Sequence, residues 1–553
     1  GAAAEERERE MAAQAEEGAC TWCVGSAPGK VLLTGGYLVL DPQCTGLVLT
    51  LSARLYALCA PLPEGTVLPG LETLENVIVL ESPQFQESWV YRWLEDTEEG
   101  RFQLQLVDGL RPNVYFEKAV ECAMATAGRE AVQQALRLGL SVVLLGDNNF
   151  YSQRDWLRSQ SLPLRAHSLE QLPLFCEPFS PMASAQTTPS SALPRIPSRT
   201  FSTPGTPASS ASCDSLPVIH KTGLGSSAAL VTSVIAAFLN LFGVLTEQSL
   251  DQDLEIVHRV AQLAHCSAQG KIGSGFDISS AVFGSHRYRR FSPKFLEEGL
   301  DLLNAGYLSS EDLYRALRLV RDEEHRVRLD PAAEQWDSEH IPFQLPPHVT
   351  LALGDVQGGT STPSFVRSVL DWRKNQPEEA SALWQSLSDA NQEVEKQLRV
   401  LGELHDTNPD QYTHTMDELA LLSASEWCSS TEHGQAIVEC LLSARKSLVE
   451  ARSLLKKMGD CAGVAIEPDE QTELCDASME VPGVLAAGVP GAGGYDAIFV
   501  LMLSRDSLQL LESGPWSSGG SLQAGALSLS EDHRGLQLCW DGNLRRYWKE
   551  NFP

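Results

Sequence analysis

Residues 221–230 read K-T-G-L-G-S-S-A-A-L, and the fold is decided here. Gly223 and Gly225 let the backbone turn tightly and approach a ligand with no Cβ in the way. The apolar run that follows predicts a helix over 226–242. A helix start presents unpaired N–H groups and the positive end of the dipole, which together attract anions. Ser226 and Ser227 add hydroxyls suited to phosphate oxygens or Mg2+, and Lys221 reaches the same phosphates. Leu224 and Ala228 complete the candidate phosphate turn. The same string also suits a glycine-capped helix whose serines act as N-caps.

Two familiar phosphate motifs fit poorly. Walker A, G-x-x-x-x-G-K-[ST], fails at residues 25–31, because Gly25 and Gly29 enclose only Ser26, Ala27 and Pro28, and Val31 follows Lys30. The dinucleotide fingerprint is formally met by Gly223, Gly225 and Ala228, but it needs a preceding strand. The tract upstream predicts none.

Four other elements carry chemistry. A-P-G-K-V-L-L-T-G-G-Y at 27–37 places Lys30 on a predicted strand, either as a fixed cation facing a cleft or as an exposed edge lysine. A-Q-G-K-I-G-S-G-F-D-I-S-S-A-V-F-G-S at 268–285 places Asp277 in a glycine-loosened turn. There it can hold a lysine or Mg2+, accept a proton, or cap the next helix. G-V-P-G-A-G-G-Y-D-A-I-F-V at 488–500, with Gly491, Gly493 and Gly494, suits a loop closing over a ligand or a hairpin-like turn. G-D-V-Q-G-G-T-S-T-P-S-F-V at 354–366 brings Thr362 and Ser364 to a helix start.

Composition bounds the rest. With 553 residues and about 150 residues per domain, two to four domains are expected. The net charge of −30 disfavours nucleic acid and anionic membranes, which need clustered cations. The 13 cysteines are scattered and odd in number, as in a reducing compartment. Cys20 and Cys23 form a lone C-x-x-C with no second pair to complete a zinc site. Residues 222–246 carry no charge, but interspersed glycines and polar residues favour a buried helix over a membrane span.

Strands are expected within 21–58 and at 140–145, 349–353, 462–466, 483–487 and 497–501. Helices are expected at 113–138, 226–242, 254–269, 378–404 and 434–457. Residues 1–19 predict a solvated tail that fits neither a secretory signal nor a mitochondrial presequence. The Ser/Thr/Pro tract at about 179–217 predicts a disordered surface insertion.

The order of these blocks resembles the GHMP kinase superfamily, and most closely its eukaryotic, plant- and fungal-type phosphomevalonate kinases. The resemblance rests on 27–40, 221–229, A-H-C-S-A-Q-G-K-I-G-S-G-F-D at 264–277, S-T-P-S at 361–364 and 488–497. It implies a two-lobed α+β fold. An N-terminal lobe like ribosomal protein S5 domain 2 would span 20–340, and a ferredoxin-like lobe 341–553. It implies ATP and Mg2+ as cofactors, and phosphorylation of (R)-5-phosphomevalonate to the diphosphate in isoprenoid and sterol precursor synthesis. Mevalonate kinase and diphosphomevalonate decarboxylase are the alternatives on the same fold, and a non-catalytic ATP-binding sensor a more remote one.

By resemblance, Lys30 contacts the acceptor. Lys221, Gly223, Gly225, Ser226 and Ser227 hold the ATP phosphates, with a serine near Mg2+. Asp277 matches the catalytic aspartate. Gly491, Gly493 and Gly494 support the site, Thr362 and Ser364 lie toward the acceptor phosphate, and Asn113 lies near the adenine. Mevalonate kinases usually carry Gly-Glu-His where this chain has Gly35-Gly36-Tyr37, which argues against an alcohol acceptor. Small-molecule substrates are the only partners implied. The expected compartment is cytoplasmic, with the peroxisome as alternative, since 551–553 is not an S-K-L-type address.

Overall fold

The computed structural model describes residues 22–96, 101–109, 111–176, 220–306, 308–356, 362–429, 434–517 and 522–551. The tail at 1–19, Cys20, the tract at 179–217 and residues 357–361 of the 354–366 block lie outside them.

Val and Leu runs bounded by glycine and proline form paired strands. β1 (Cys23–Thr34) runs antiparallel to β2 (Thr45–Pro61), with Lys30 opposite Thr50. The other edge of β2 is shared. Strand β6 (Leu140–Gly146) pairs with Leu55–Pro61, and β7 (His286–Arg289) pairs with Thr45–Val48. With β3 (Val77–Ser82), β4 (Glu87–Asp96), β5 (Arg101–Asp108) and β10 (Glu339–Pro342), the order is β10-β7-β2-β6-β3-β4-β5. Among the described residues only the β3–β6 pair is parallel. A separate hairpin joins β8 (Leu319–Arg321) to β9 (Val327–Leu329).

Helices α1 (Val114–Ala127), α2 (Ser226–Leu241) and α3 (Leu250–Gln269) share one core with this sheet, including Ile78, Tyr91, Phe116, Val234 and Val260. The uncharged stretch is therefore a buried helix, α2. No helix among the described residues is long and apolar enough to cross a membrane. At Gly25 a Cβ would overlap the Ser233 carbonyl oxygen, so only glycine lets β1 lie this close to α2.

The second lobe is a sheet of order β12-β13-β11-β14, formed by β11 (Thr350–Asp355), β12 (Val484–Gly488), β13 (Ala497–Met502) and β14 (Gly525–Ala526). Further helices are α4 (Phe276–Phe283), α5 (Thr362–Asn375), α6 (Pro377–Thr407) and α7 (Gln435–Ala462). Leu398 of α6 and Leu441 of α7 share a core with Leu353 and Leu501 of this sheet and with Leu49 and Leu51 of β2. One apolar core thus joins the lobes, giving the two-lobed α+β architecture. The chain end then returns to the first sheet, where Gln537 bridges Ser26 and Glu531 bridges Leu51.

Three local expectations need correction. Residues 36–40 form a 3-10 helix rather than a strand, because Gly35 and Gly36 take φ of 112° and 51° and turn Tyr37 and Leu38 inward. The helix expected over 113–138 breaks at Gly128, φ 84°. No strand forms at 462–466: α7 runs to Ala462, and Gly463 ends it in the left-handed region.

Candidate active site

Gly225 is the N-cap of α2, with φ 78°, and no side chain caps the helix. Ser226 and Ser227 therefore lie inside the first turn: the helix is glycine-capped, as in the alternative reading, but the serine hydroxyls are not its N-caps. The first amides of a helix so built form an anion site. The residues ahead of the turn are anchored by 149–152. Tyr151 bridges Lys221, Ser152 N–H donates to the His220 carbonyl, and Thr222 Oγ1 donates to the Asn149 carbonyl at 2.5 Å. This is an isolated bridge rather than the strand that a dinucleotide fold requires. Leu224 is buried beneath the turn, and Ala228 is buried in the helix. Lys221 is exposed, and the surrounding protein mass still pushes its pKa down.

Lys30 reaches this turn from β1. Its backbone N–H donates to the Leu224 carbonyl at 2.9 Å, and its ammonium donates to the Gly223 carbonyl at 2.9 Å. The ammonium also lies 5.3 Å from the centroid of the Phe276 ring. Burial pushes its pKa down, while the charges of Asp277 and Asp496 push it back up. The charges of two acids thus both favour the charged form of this ammonium.

Asp277 sits in the first turn of α4, where its Oδ1 accepts the Ile278 N–H at 3.0 Å. The loop that delivers it is pinned by three side chains. Tyr288 donates to the Ser274 carbonyl at 2.7 Å, Gln262 to the Gly275 carbonyl at 2.7 Å and Arg290 to the Gly273 carbonyl at 2.6 Å. Asp277 Oδ2 is 4.0 Å from His265 Nε2, and Ser227 Oγ is 3.2 Å from the same nitrogen. The glycine turn and the Asp277 turn therefore face one another.

The loop carrying Gly491, Gly493 and Gly494 takes positive φ at all three glycines. At Gly493 a Cβ would overlap the Ile466 carbonyl oxygen, and Gly494 N–H donates to that carbonyl at 2.8 Å. Tyr37 donates to the Ala492 carbonyl at 2.7 Å, which ties the loop to the 3-10 turn after β1. The loop ends at Asp496, against Gly223. Thr362 opens α5 and Ser364 is exposed near its start. Val369 and Trp372 of that helix share a small core with Tyr37 and Ile466. Asn113 caps α1, its Oδ1 accepting the Phe116 N–H at 3.3 Å.

Lys30, Asp277 and the residues 223–227 thus converge. The glycine loop joins them through Asp496, and α5 packs behind that loop. Sequence reasoning assigned no role to His265 or Asp496, although both lie inside quoted motifs. The available signal was an ionisable residue embedded in each glycine-bearing block. Among the described residues no three His, Cys, Asp or Glu side chains form a metal cage. Mg2+ keeps waters and takes one or two protein oxygens plus substrate phosphates. Ser227 and Asp277 are oxygen donors of that kind.

The family models "GHMP kinases N terminal domain" and "GHMP kinases C terminal" match residues 214–285 and 437–513. A protein named peroxisomal phosphomevalonate kinase, from Arabidopsis thaliana, is 38% identical over 93% of this chain and 95% of its own length. A phosphomevalonate kinase of Aspergillus fumigatus is 34% identical over 86% of each chain. The crystal structure of a Lin0012 protein from Listeria innocua shares the fold, with TM-score 0.51 and 15% identity, over 93% of this chain and 100% of that one. With such identity across nearly the full length of both chains, the chain belongs to the phosphomevalonate kinase family of the GHMP kinases.

Proposed function

We propose that this chain transfers the γ-phosphoryl group of ATP to (R)-5-phosphomevalonate, giving ADP and (R)-5-diphosphomevalonate in the mevalonate route to isoprenoids and sterols. The observation that carries this reading is the contact of Lys30 with the Gly223 turn beside Asp277, in a chain whose curated relatives are phosphomevalonate kinases.

A phosphate monoester has a second pKa near 6 and is mostly dianionic at neutral pH. It needs little help from a base. The main cost is electrostatic, because two anions must meet. An acceptor oxygen attacks the γ-phosphorus while the bond to the β-phosphate oxygen breaks, and ADP leaves. Lys30 draws the acceptor phosphate in and offsets charge as the two groups approach. Lys221, the first turn of α2 and its serines hold the ATP phosphates. Bound Mg2+ would supply further charge neutralisation on those phosphates. Asp277 orients Lys30 and the acceptor rather than removing a proton. Gly491, Gly493 and Gly494 support the cleft wall, and Thr362 and Ser364 lie toward the acceptor phosphate. Asn113 spends its carbonyl oxygen on the helix cap, which leaves an adenine contact to its amide nitrogen. The halves 20–340 and 341–553 serve as the two lobes of one kinase. A cytoplasmic or peroxisomal setting accompanies this reading, since the Arabidopsis relative is named peroxisomal.

A coupled ADP-release assay with mevalonate, 5-phosphomevalonate and 5-diphosphomevalonate tests it. ADP release with the monophosphate alone, and formation of the diphosphate, is expected. Turnover of mevalonate, or ADP release with loss of CO2 from the diphosphate, would replace the reading with its neighbour on the same fold.

A further inference from the structure

The imidazole of His265 is 3% exposed and is not accounted for by the phosphoryl transfer described above. Three groups converge on its Nε2: Ser227 Oγ at 3.2 Å, Gln269 Nε2 at 3.2 Å and Asp277 Oδ2 at 4.0 Å. The Tyr115 ring covers it, with centroids 5.9 Å apart. The amide nitrogen of Gln269 can only donate, so the ring nitrogen facing it must accept. The proton of a neutral imidazole then sits on Nδ1, and the single lone pair of Nε2 is shared by the Gln269 amide and the Ser227 hydroxyl. The Asp277 carboxylate, at 4.0 Å, is beyond hydrogen-bond length and does not compete.

We infer that His265 is a positioning residue: by accepting the Ser227 hydroxyl proton, it leaves the Ser227 oxygen a pure acceptor toward the phosphate cleft, fit for a divalent cation and unable to donate to a phosphate oxygen. The reverse arrangement would turn the hydroxyl proton into the cleft and make Ser227 a phosphate donor. The two serines of the turn thereby divide. Ser227 is committed to the metal side, and phosphate donation falls to the helix amides and Ser226. This deepens the kinase reading and rests on it only in taking the cation to arrive with ATP.

The experiment measures nucleotide affinity by calorimetry for the parent, His265→Leu, His265→Gln, Ser227→Ala and the His265→Leu/Ser227→Ala double variant. Each protein is titrated with ATP in Mg2+ and with ATP in EDTA. His265→Leu should lose about tenfold or more of the Mg2+-dependent affinity, as removal of a ligand's outer partner does. Metal-free ATP affinity and KM for 5-phosphomevalonate should stay within about twofold, since the lost bond acts through the cation alone. His265→Gln, whose amide oxygen accepts, should recover most of the loss. The double variant should lose no more than Ser227→Ala alone, because both changes remove one linked interaction. Equal weakening with and without metal, or additive losses, would overturn the proposal. If His265→Leu does not fold, the Gln and Ala variants carry the same comparison: Ser227→Ala weakening ATP equally in EDTA makes Ser227 a phosphate donor and ends the proposal. Calorimetry needs no acceptor. A parent that phosphorylates some other acceptor therefore overturns the kinase reading and leaves the His265–Ser227 coupling to be judged by itself.

Discussion

The Lys30 ammonium donates to the Gly223 carbonyl at 2.9 Å, across 193 residues of sequence. This contact holds a cation against the Gly223 turn, within the field of the Asp277 and Asp496 charges. Replacing it by an apolar chain of similar length removes the charge and keeps the packing. Lys30→Met should lower kcat by about 10²–10³, with unfolding close to the parent. A variant within threefold of the parent would remove Lys30 from the chemistry.

Gly225 tests how tightly the turn and the lysine fit. It has φ 78°, and a Cβ there would sit 2.9 Å from Lys30 Cε. Gly491 has φ 64° but meets nothing within 4 Å. Both alanines carry backbone strain of about 1 kcal/mol. Only Gly225→Ala also pushes Lys30. Stability should fall by similar amounts in the two variants, while Gly225→Ala alone loses kcat/KM for the acceptor, by roughly tenfold or more (about 1.4 kcal/mol). Equal kinetic losses would mean that strain, not the lysine, sets the effect.

Asp277 distinguishes orientation from proton removal. An orienting carboxylate loses its grip on Lys30 when it becomes an amide, but the shape of the rate–pH profile does not change. Asp277→Asn should therefore lose about 10²–10³ in kcat at every pH. An acidic limb present in the parent and absent in the variant would assign Asp277 as a base.

Much of this arrangement was legible in the sequence, for physical reasons. Strands β1 and β2 and helices α2, α3, α6 and α7 carry long, strongly patterned apolar runs, which local rules read well. Gly223 and Gly225 stood out because tight turns need residues without side chains, and Asp277 because it is an acid set among glycines. Other features depended on distant partners. Gly35 and Gly36 looked like a bounded strand because the inward turn of Tyr37 is fixed by Ala492, remote in sequence. Ile466 looked like strand because it is apolar, yet it is buried as the seat of the glycine loop. His265 and Asp496 acquire meaning only when helix α3 and the late loop are brought to the same cleft.

The returning chain end predicts a mechanical role for Arg54, which is 3% exposed. Its guanidinium donates to Ser26 Oγ at 2.7 Å, the Ser26 carbonyl at 2.9 Å and the Gly535 carbonyl at 2.6 Å, and it lies 3.6 Å from Asp532. One side chain thus ties β1 and β2 to the segment after β14. Arg54→Met removes these bonds, although the Ser26 carbonyl keeps the Gln537 N–H and Asp532 keeps Arg534, and should cost about 2 kcal/mol, read by urea unfolding. Cleavage by a protease within 525–551 should rise ahead of cleavage elsewhere. Uniform loss of protection would show that Arg54 supports the whole sheet rather than the strap.

Acid sensitivity follows from the histidines beneath α4. His286 is 1% exposed, with its ring nitrogens on Ser279 Oγ at 2.9 Å and the Gly284 carbonyl at 2.7 Å. Burial, together with neighbouring His340 and His258, pushes its pKa down to about 3, and that of His340 falls to about 4. In the unfolded chain both titrate near 6.5. Between these values the unfolded state binds protons that the folded state refuses, so stability is complete above about pH 6.5 and declines as pH falls toward the folded values. At pH 5.5 the buried ring of His286 alone should cost about 1.4 kcal/mol relative to pH 8. Urea unfolding of the parent and of His286→Gln, at pH 8 and pH 5.5, measures this term, because the amide does not titrate. The variant should be less stable at pH 8 and should lose less on acidification. Equal acid losses in the two proteins would place the sensitivity outside this cluster, despite the way its rings crowd the helix that carries Asp277.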